Sequence, residues 1–253
     1  MQITPLYSHT RRPMKILVLA SGRGTNFEKI HSRQMELIKQ DGGKNYGAIE
    51  HVFSNSPEAV VLRKAEALKI ENSSISSERF FATLGKHPSD EDGRILYDST
   101  VISHIEELFE PDLVVLAGYR RRLSRLFTER FANRIVNLYP GDTTRNYLVR
   151  GKSACVQAVE NDEKTIRCTV YLENSPETRF GTVIAQSVDI SLEGFGIGDV
   201  AAMEEKIREQ GEWELFPFAV HDLIANGRVA IDEENNIYVD DSKTGKGGFS
   251  LSP

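Results

Sequence analysis

Short apolar runs alternate with longer helical patterns through the first half of the chain, and this alternation limits the possible folds most. Near-continuous apolar runs rich in β-branched residues are typical of strands that are buried on both faces of a sheet. Such runs lie at residues 15–20, 48–54, 113–118 and 134–140. Because strands that alternate with helices form parallel sheets covered on both faces, we expect an α/β, Rossmann-like fold.

Three helical patterns lie between these strands and are long enough to be crossover connections. The first begins near Asn26, and the second covers PEAVVLRKAEALK with Pro57 in its first turn. The third covers residues 90–109 and ends before Pro111. Proline suits the first turn of a helix and the position just after its end, so it marks both boundaries.

After Pro140 the pattern changes. A short helix, SACVQAVEN, is followed by two strand-like runs, TIRCTVYLE and GTVIAQSVDI, by a long helix ending at Asn226 and Gly227, and by a hairpin around Asn235. We therefore expect the parallel sheet to continue into a mixed or antiparallel C-terminal part. The predicted organisation is one domain over 14–240, with halves at 14–140 and 141–240 and flexible ends at 1–13 and 241–253.

Composition and charge exclude several classes of protein. Lys and Arg number 31 and Asp and Glu 37, so the net charge is −6 and gives no general attraction to nucleic acid or to an anionic membrane. No apolar stretch reaches the roughly 20 residues that span a bilayer, and the first residues lack the apolar core of a secretion signal. Cys155 and Cys168 lack metal-ligand spacing, so we expect buried cysteines and no metal site. From the charge and the missing apolar segments we expect a cytoplasmic protein without nucleic-acid or membrane partners.

The first strand runs into a glycine turn, in the sequence ILVLASGRGTN at residues 16–26. Glycines where a strand ends and a helix begins allow backbone N–H groups to approach a phosphate. The dinucleotide-binding motif needs a third glycine where this chain has Phe27, and the spacing of the P-loop is also missing. A phosphate site and a plain turn therefore both remain open, and we expect Gly24→Val to block a phosphate.

Asn137 and Tyr139 form a second candidate site, at the carboxyl end of the fourth predicted strand. They lie two residues apart and so share one face of the sheet, at the edge where open α/β sheets bind ligands. A side-chain amide there can donate to a developing oxyanion. An asparagine that caps the following turn explains the same residue, so the strand end alone does not decide its role.

Several blocks of sequence together resemble the glycinamide ribonucleotide transformylase family. They are MKILVLASGRGTNFEKI, HVFSNSPEA, PDLVVLAGYRRRLSR, RIVNLYP, VQAVEND, GTVIAQ and EWELFPFAVHDLIANGRV, in the family's order from about Met14 to Val229. The resemblance implies the formyltransferase fold. It also implies transfer of a formyl group from 10-formyltetrahydrofolate to the amine of a small phosphorylated ribosyl ligand in purine synthesis.

The resemblance also assigns binding residues. The substrate ribose is contacted in the family by a glutamate that matches Glu212, for which a solvated helix residue is the alternative. The basic run RRRLSR is explained equally well by a solvated helix start or a site for a carboxylate. The matched phosphate loop is Gly22, Arg23, Gly24, Thr25 and Asn26, and the matched folate side of the cleft is Arg94, Gly118, Tyr119, Arg120, Arg121 and Leu123.

The catalytic set departs from the family pattern. Asn137 is retained, but Tyr139 stands where the family has a histidine, and Arg179 falls opposite the family's aspartate, with Glu177 nearby. Another histidine associated with the family's site corresponds to Tyr171. Tyrosine has a pKa of about 10 and arginine stays protonated, so neither replaces a proton relay near neutral pH. The family's own reaction should therefore be slowed.

Three hypotheses follow for a formyltransferase-like chain with this catalytic set. The first is an active enzyme with a modified site, in which Glu177 or a bound water acts as the relay. The second is a catalytically degenerate relative that binds a ribonucleotide or a folate without turnover, as a sensor or a partner subunit. The third is a purely structural relative whose glycine turn binds no phosphorylated ligand at all.

Overall fold

Two units make up the fold. The computed structural model describes residues 2–8, 12–145, 147, 149, 151–174 and 180–252. The parallel-sheet unit consists of His9–Asn137 and Leu172–Gly181. The mixed-sheet unit consists of Met1–Ser8, Leu138–Tyr171 and Thr182–Pro253.

Strands and helices are numbered along the chain. The strands are Ile3–Pro5 (β1), Met14–Leu19 (β2), Gly47–Ser54 (β3), Glu71–Ser74 (β4), Leu113–Leu116 (β5), Ile135–Tyr139 (β6), Thr165–Ile166 (β7), Thr169–Leu172 (β8), Val183–Gln186 (β9), Ile190–Ser191 (β10), Val229–Asp232 (β11), Ile237–Val239 (β12), Ser242–Lys243 (β13) and Phe249–Ser250 (β14). The helices are Thr25–Gln40 (α1), Val60–Ala67 (α2), Ser77–Leu84 (α3), Glu91–Leu108 (α4), Arg125–Arg130 (α5), Ala154–Glu160 (α6), Val200–Ile207 (α7) and Trp213–Pro217 (α8). Two π-helical segments, Arg208–Glu212 and Phe218–Ala225, flank α8.

The sheet of the parallel-sheet unit has the strand order β6-β5-β2-β3-β4, and all neighbouring strands are parallel. The four strands and the crossover helices α1 and α4 confirm the predicted Rossmann-like fold. The sequence did not predict β4, because its residues, ENSS, carry no apolar pattern. The carboxyl ends of all five strands lie along one edge, which positions the loops that follow them.

Aromatic and aliphatic side chains fill the core between this sheet and its helices. Leu17, Phe53, Tyr97, Val114 and Phe127 are almost completely buried and belong to one cluster. Burying one large apolar side chain contributes roughly 1.5 to 3 kcal/mol. This core therefore fixes the strands, and with them the loops at the carboxyl edge.

Helix α2 begins later than the sequence predicts. It begins at Val60, so Pro57 precedes the helix and does not lie in its first turn. The N–H of Val61 donates to the carbonyl oxygen of Gly22 at 3.0 Å. A tertiary hydrogen bond to the glycine turn thus satisfies a first-turn donor, and proline position alone could not indicate where the helix starts.

The mixed-sheet unit contains three groups of paired strands. Strands β8 and β9 are antiparallel, and β14 adds to β9 in parallel. Strands β7 and β10 form a second pair, and β1, β11, β12 and β13 form an antiparallel sheet. The predicted hairpin is confirmed as β11 and β12. Residues near the two ends of the chain contribute β1, which pairs with β11, β13, which pairs with β12, and β14, which pairs with β9.

The predicted long helix is continuous from Val200 to Ala225, but it is partly π-helical. Gly211 packs so tightly that a Cβ there would lie 2.5 Å from Cys168 Sγ. Cys168 and Cys155 are buried, as predicted, and neither forms a disulfide. Burial, and secondarily the charge of Glu212, raises the pKa of the Cys168 thiol well above its usual value.

Among the described residues, no helix is both long enough and apolar enough to cross a membrane.

Two histidines share one serine hydroxyl beside the parallel sheet. Ser73 Oγ lies 2.7 Å from His51 Nε2 and 2.8 Å from His104 Nε2. Burial, and secondarily the nearby His104, lowers the pKa of His51 from 6.5 to about 4. Between these two pH values the unfolded chain binds a proton at His51 that the folded chain does not bind. Folding is therefore penalised progressively as the pH falls through this range.

We expect this histidine to make the protein acid-sensitive. The unfolding free energy should fall by about 3 kcal/mol between pH 6.5 and pH 4 on account of His51. His51→Gln keeps a hydrogen-bonding group near Ser73 but does not titrate, so its unfolding free energy should vary less over this range. Urea unfolding of both proteins across the range measures the difference. The same slope in both proteins would remove His51 as its cause.

Candidate active site

The predicted phosphate loop follows β2 and leads into α1. Gly24 is the residue before the helix, and its φ of 71° is in the left-handed region. A Cβ on Gly24 would lie 2.5 Å from Cγ2 of Val61 in α2. Both the backbone conformation and the contact with α2 therefore require glycine at this position.

The other side of this turn is open. A Cβ on Gly22 would meet no atom within 4 Å. Gly24 has no side chain that could cap α1, and no side-chain cap is present. The positive end of a helix dipole and its first-turn N–H groups thus face an accessible turn, which is an arrangement that suits an anion. A substituent on Gly24 points at α2, so the expectation that Gly24→Val blocks a phosphate directly is replaced by a test at Gly22.

Ser21, at the start of the glycine turn, connects this turn to the loop after β5. Ser21 donates its N–H to the carbonyl oxygen of Gly118 at 3.2 Å, and the N–H of Arg120 donates to Ser21 Oγ at 2.8 Å. Ser21 Oγ also lies 2.5 Å from Oδ1 of Asn55, which follows β3. In the sequence, this contact is indicated only by the positions of Ser21 and Asn55, since each directly follows a predicted strand.

Two arginines that were predicted to bind a folate have buried donors. The Arg121 guanidinium lies 4.5 Å from the Phe81 ring centre and 4.9 Å from that of Tyr97, which orients it by cation–π contacts. The Nε atoms of Arg94 and Arg121 are buried, and neither has a hydrogen-bond partner in the described part of the chain. Buried donors of this kind suit a ligand that carries carboxylates and other acceptors.

The loop that carries Arg121 is anchored on α4, the helix that carries Arg94. Asp98 is 2% exposed and accepts a hydrogen bond from the N–H of Ser124 at 2.5 Å. Burial is the main cause that raises the pKa of the Asp98 carboxyl. Leu123 is buried in the core, and the half-buried Tyr119 packs against the same core. Burial is the main cause that raises the pKa of the Tyr119 phenol. The loop from Gly118 to Leu123 is therefore a fixed surface.

Asn137 lies on the same row of the sheet as the end of the strand that precedes the glycine turn. Leu19 pairs with Leu116, and Leu116 pairs with Asn137. Two strand spacings therefore separate Asn137 from the end of β2, about 10 Å.

Glu173, which the sequence analysis did not consider, accompanies Asn137. Asn137 Nδ2 donates to Glu173 Oε2 at 3.3 Å. The N–H of Glu173 donates to the carbonyl oxygen of Ile135 at 2.9 Å, so its backbone is fixed beside β6. Its signal in the sequence was only an acidic residue at the end of a predicted strand. The structure thus brings a carboxylate to the predicted oxyanion donor.

The remaining predicted site residues belong to the mixed-sheet unit or lie outside the described residues. Tyr139 has a buried hydroxyl, and its ring lies 2.5 Å from where a Cβ on Gly141 would be. Tyr171 is buried, and Glu212 is half-buried on the first π-helical segment. Arg179 and Glu177 lie outside the described residues. Within the described ranges, no group of three or more His, Cys, Asp or Glu residues could hold a metal ion.

Comparisons with known proteins identify the family of this chain. Residues 14–218 match the formyl transferase family. The phosphoribosylglycinamide formyltransferase of Escherichia coli is 28% identical over 237 residues, which are 94% of this chain and 99% of that protein. The trifunctional purine biosynthetic protein adenosine-3 of Homo sapiens is 27% identical over 237 residues, which are 93% of this chain and 21% of that protein.

Solved structures of such formyltransferases have the same fold as this chain. The phosphoribosylglycinamide formyltransferase of Coxiella burnetii superimposes with a TM-score of 0.72 at 24% identity, covering 95% of this chain and 100% of that one. Glycinamide ribonucleotide transformylase 1 of Symbiobacterium toebii gives a TM-score of 0.67 at 25% identity, covering 91% and 95%. Since the family match covers residues 14–218, well over half of the 253 residues, the chain belongs to the formyl transferase family.

Proposed function

We propose that this protein transfers a formyl group from 10-formyltetrahydrofolate to the amine of a phosphorylated ribosyl substrate, as a step of purine synthesis. The observation that carries the proposal is the row formed by Leu19, Leu116 and Asn137. Leu19 is the last residue of β2, from which the glycine turn follows, and two strand spacings of about 10 Å in all separate it from Asn137 on the same edge of the sheet. A substrate with a phosphate at one end and an amine at the other fits this spacing.

The glycine turn holds the substrate phosphate in this proposal. The uncapped start of α1 supplies N–H donors and a positive dipole, and Gly22 leaves the turn open. Arg23 is exposed beside these donors and adds a positive charge. The other loop residues carried over from the family, Thr25 and Asn26, are the first residues of α1. Glu212 is assigned to the ribose by family resemblance.

The folate is held by the loop after β5 and by Arg94 of α4. The buried Nε atoms of Arg94 and Arg121 are the observation that fits an acceptor-rich ligand. When bound, 10-formyltetrahydrofolate supplies the formyl group. The chain contributes orientation, because Asp98 and Leu123 fix this loop against α4.

Asn137 acts on the reacting carbon. Its amide donates a hydrogen bond to the oxygen that becomes negative as the amine attacks, which lowers the barrier most at the transition state. Tyr139 and Arg179 replace the family's histidine and aspartate, so the usual proton relay is absent from those positions. This substitution favours one competing function, in which the same site binds its ligands without turnover.

A transfer assay separates the two functions. Glycinamide ribonucleotide and 10-formyltetrahydrofolate are incubated with protein concentrations that reveal a catalyst weakened by about 10⁴-fold. Loss of the formyl-folate above a control without protein is the result that we expect. Calorimetric titration with each ligand is run in parallel. Binding without transfer would support the non-catalytic relative, and neither binding nor transfer would contradict both functions.

A further inference from the structure

We infer that Glu173 takes up the proton that the substrate amine loses during formyl transfer. This inference rests on the proposed function and assigns a proton acceptor to a chain whose histidine and aspartate positions are Tyr139 and Arg179. A tyrosine and an arginine do not accept a proton near neutral pH, whereas a carboxylate does. The reaction needs such a group, and Glu173 lies beside the oxyanion donor.

The position of Glu173 follows from its backbone. Strand β8 ends at Leu172, and the next N–H, that of Glu173, donates to Ile135 in β6 at 2.9 Å. Asn137 lies two residues after Ile135 and so projects from the same face of that strand. The Asn137 amide and the Glu173 carboxylate meet there at 3.3 Å, and both side chains are half-buried.

In this inference Asn137 donates to the oxyanion while Glu173 takes up the proton, and both side chains can hold more than one hydrogen-bond partner. The amide nitrogen of Asn137 carries two N–H groups, and one of them is directed at Glu173. An amide nitrogen can therefore serve two acceptors at once, which in this inference are Glu173 and the oxyanion of the substrate. A carboxylate has about four acceptor sites, so it can hold several partners at once, and in this inference the substrate amine is one of them.

The proton balance of the step is complete without a further reactant. The amine nitrogen forms a bond to the formyl carbon and loses one proton to a Glu173 carboxylate oxygen. The bond from the formyl carbon to the carrier nitrogen then breaks, and that nitrogen takes the proton from Glu173. Glu173 is thereby returned to its charged form for the next turnover.

A purely structural role of Glu173 has a different consequence. If the carboxylate only orients the Asn137 amide, glutamine at this position should suffice, because its side-chain oxygen accepts the same hydrogen bond. Glutamine cannot take up a proton near neutral pH. Glu173→Gln therefore separates proton transfer from positioning with little change in shape.

The first test is the pH dependence of kcat. We expect wild-type kcat to fall on the acid side as Glu173 becomes protonated. In Glu173→Gln, kcat should fall by about 10²-fold or more and lose this acid limb. Glu173→Asp should restore part of the rate, since it retains a carboxylate. The Kd for glycinamide ribonucleotide should change little in Glu173→Gln. The matched control is Glu129→Gln, at an exposed helix glutamate that pairs with Arg125, and it should match wild type.

A second readout does not depend on turnover. The difference between ¹³C NMR spectra of wild type and Glu173→Gln identifies the Glu173 carboxyl signal, and its titration in the ligand-free protein should match the acid limb of kcat. Wild-type kcat in Glu173→Gln, or a titration far from the limb, would overturn the inference and leave the proposed function intact. No transfer by wild type would overturn both.

Discussion

Replacing Asn137 with alanine should lower kcat for formyl transfer by about 10²- to 10³-fold, which is the usual effect of removing one oxyanion donor. The backbone of Asn137 pairs with β5 and is unaffected by the change, and its side chain is only half-buried. The fold should therefore persist. Binding of the ribonucleotide should change little, because the predicted phosphate site is two strands away.

Steady-state kinetics with the Asn137→Ala variant measure this effect. Asn72→Ala provides a matched control, since Asn72 lies on β4 of the same sheet and its amide bonds only locally to the carbonyl oxygen of Ile70 at 3.2 Å. That variant should keep the wild-type kcat. Undiminished turnover in Asn137→Ala would exclude the amide from the mechanism and would also remove the physical basis for the role of Glu173.

The second large effect is expected at the two glycines of the turn. Gly24→Val places a β-branched residue at a φ of 71° with its Cβ 2.5 Å from Val61. The left-handed conformation costs about 1 to 2 kcal/mol and the overpacking about 1 to 3 kcal/mol. We expect a loss of about 2 to 5 kcal/mol in the free energy of unfolding, measured by urea denaturation.

Gly22→Val separates phosphate binding from this loss of stability. Its side chain would enter open space, so the free energy of unfolding should stay within about 0.5 kcal/mol of wild type. The affinity for glycinamide ribonucleotide should nevertheless fall, because the side chain occupies the open face of the turn. Calorimetric titration checks this. Equal affinity in a stable Gly22→Val protein would mean that the turn does not hold the phosphate.

Much of the parallel-sheet unit could be predicted from the sequence, because the apolar runs of β2, β3, β5 and β6 are typical of strands buried on both faces. The polar strand β4 could not be predicted in this way, since only its pairing with β3 makes it a strand. The short strands of the two chain ends escaped prediction for the same reason.

The candidate site could likewise be predicted from the sequence only in part. The glycine turn and Asn137 stand at the ends of predicted strands, so their positions could be inferred locally. The link from Ser21 to Asn55 and the bond from Asn137 to Glu173 join residues that are 34 and 36 positions apart. Such contacts depend on which strands become neighbours, and hydrophobic pattern alone does not determine which polar side chains then meet.

A single-turnover experiment tests the central claim most directly. Excess protein is mixed with glycinamide ribonucleotide and 10-formyltetrahydrofolate, and mass spectrometry follows the ribonucleotide. We predict that the ribonucleotide gains one formyl group faster than in the absence of protein, and that Asn137→Ala slows this gain. A ribonucleotide that binds but stays unformylated at the rate of the protein-free control would contradict the account.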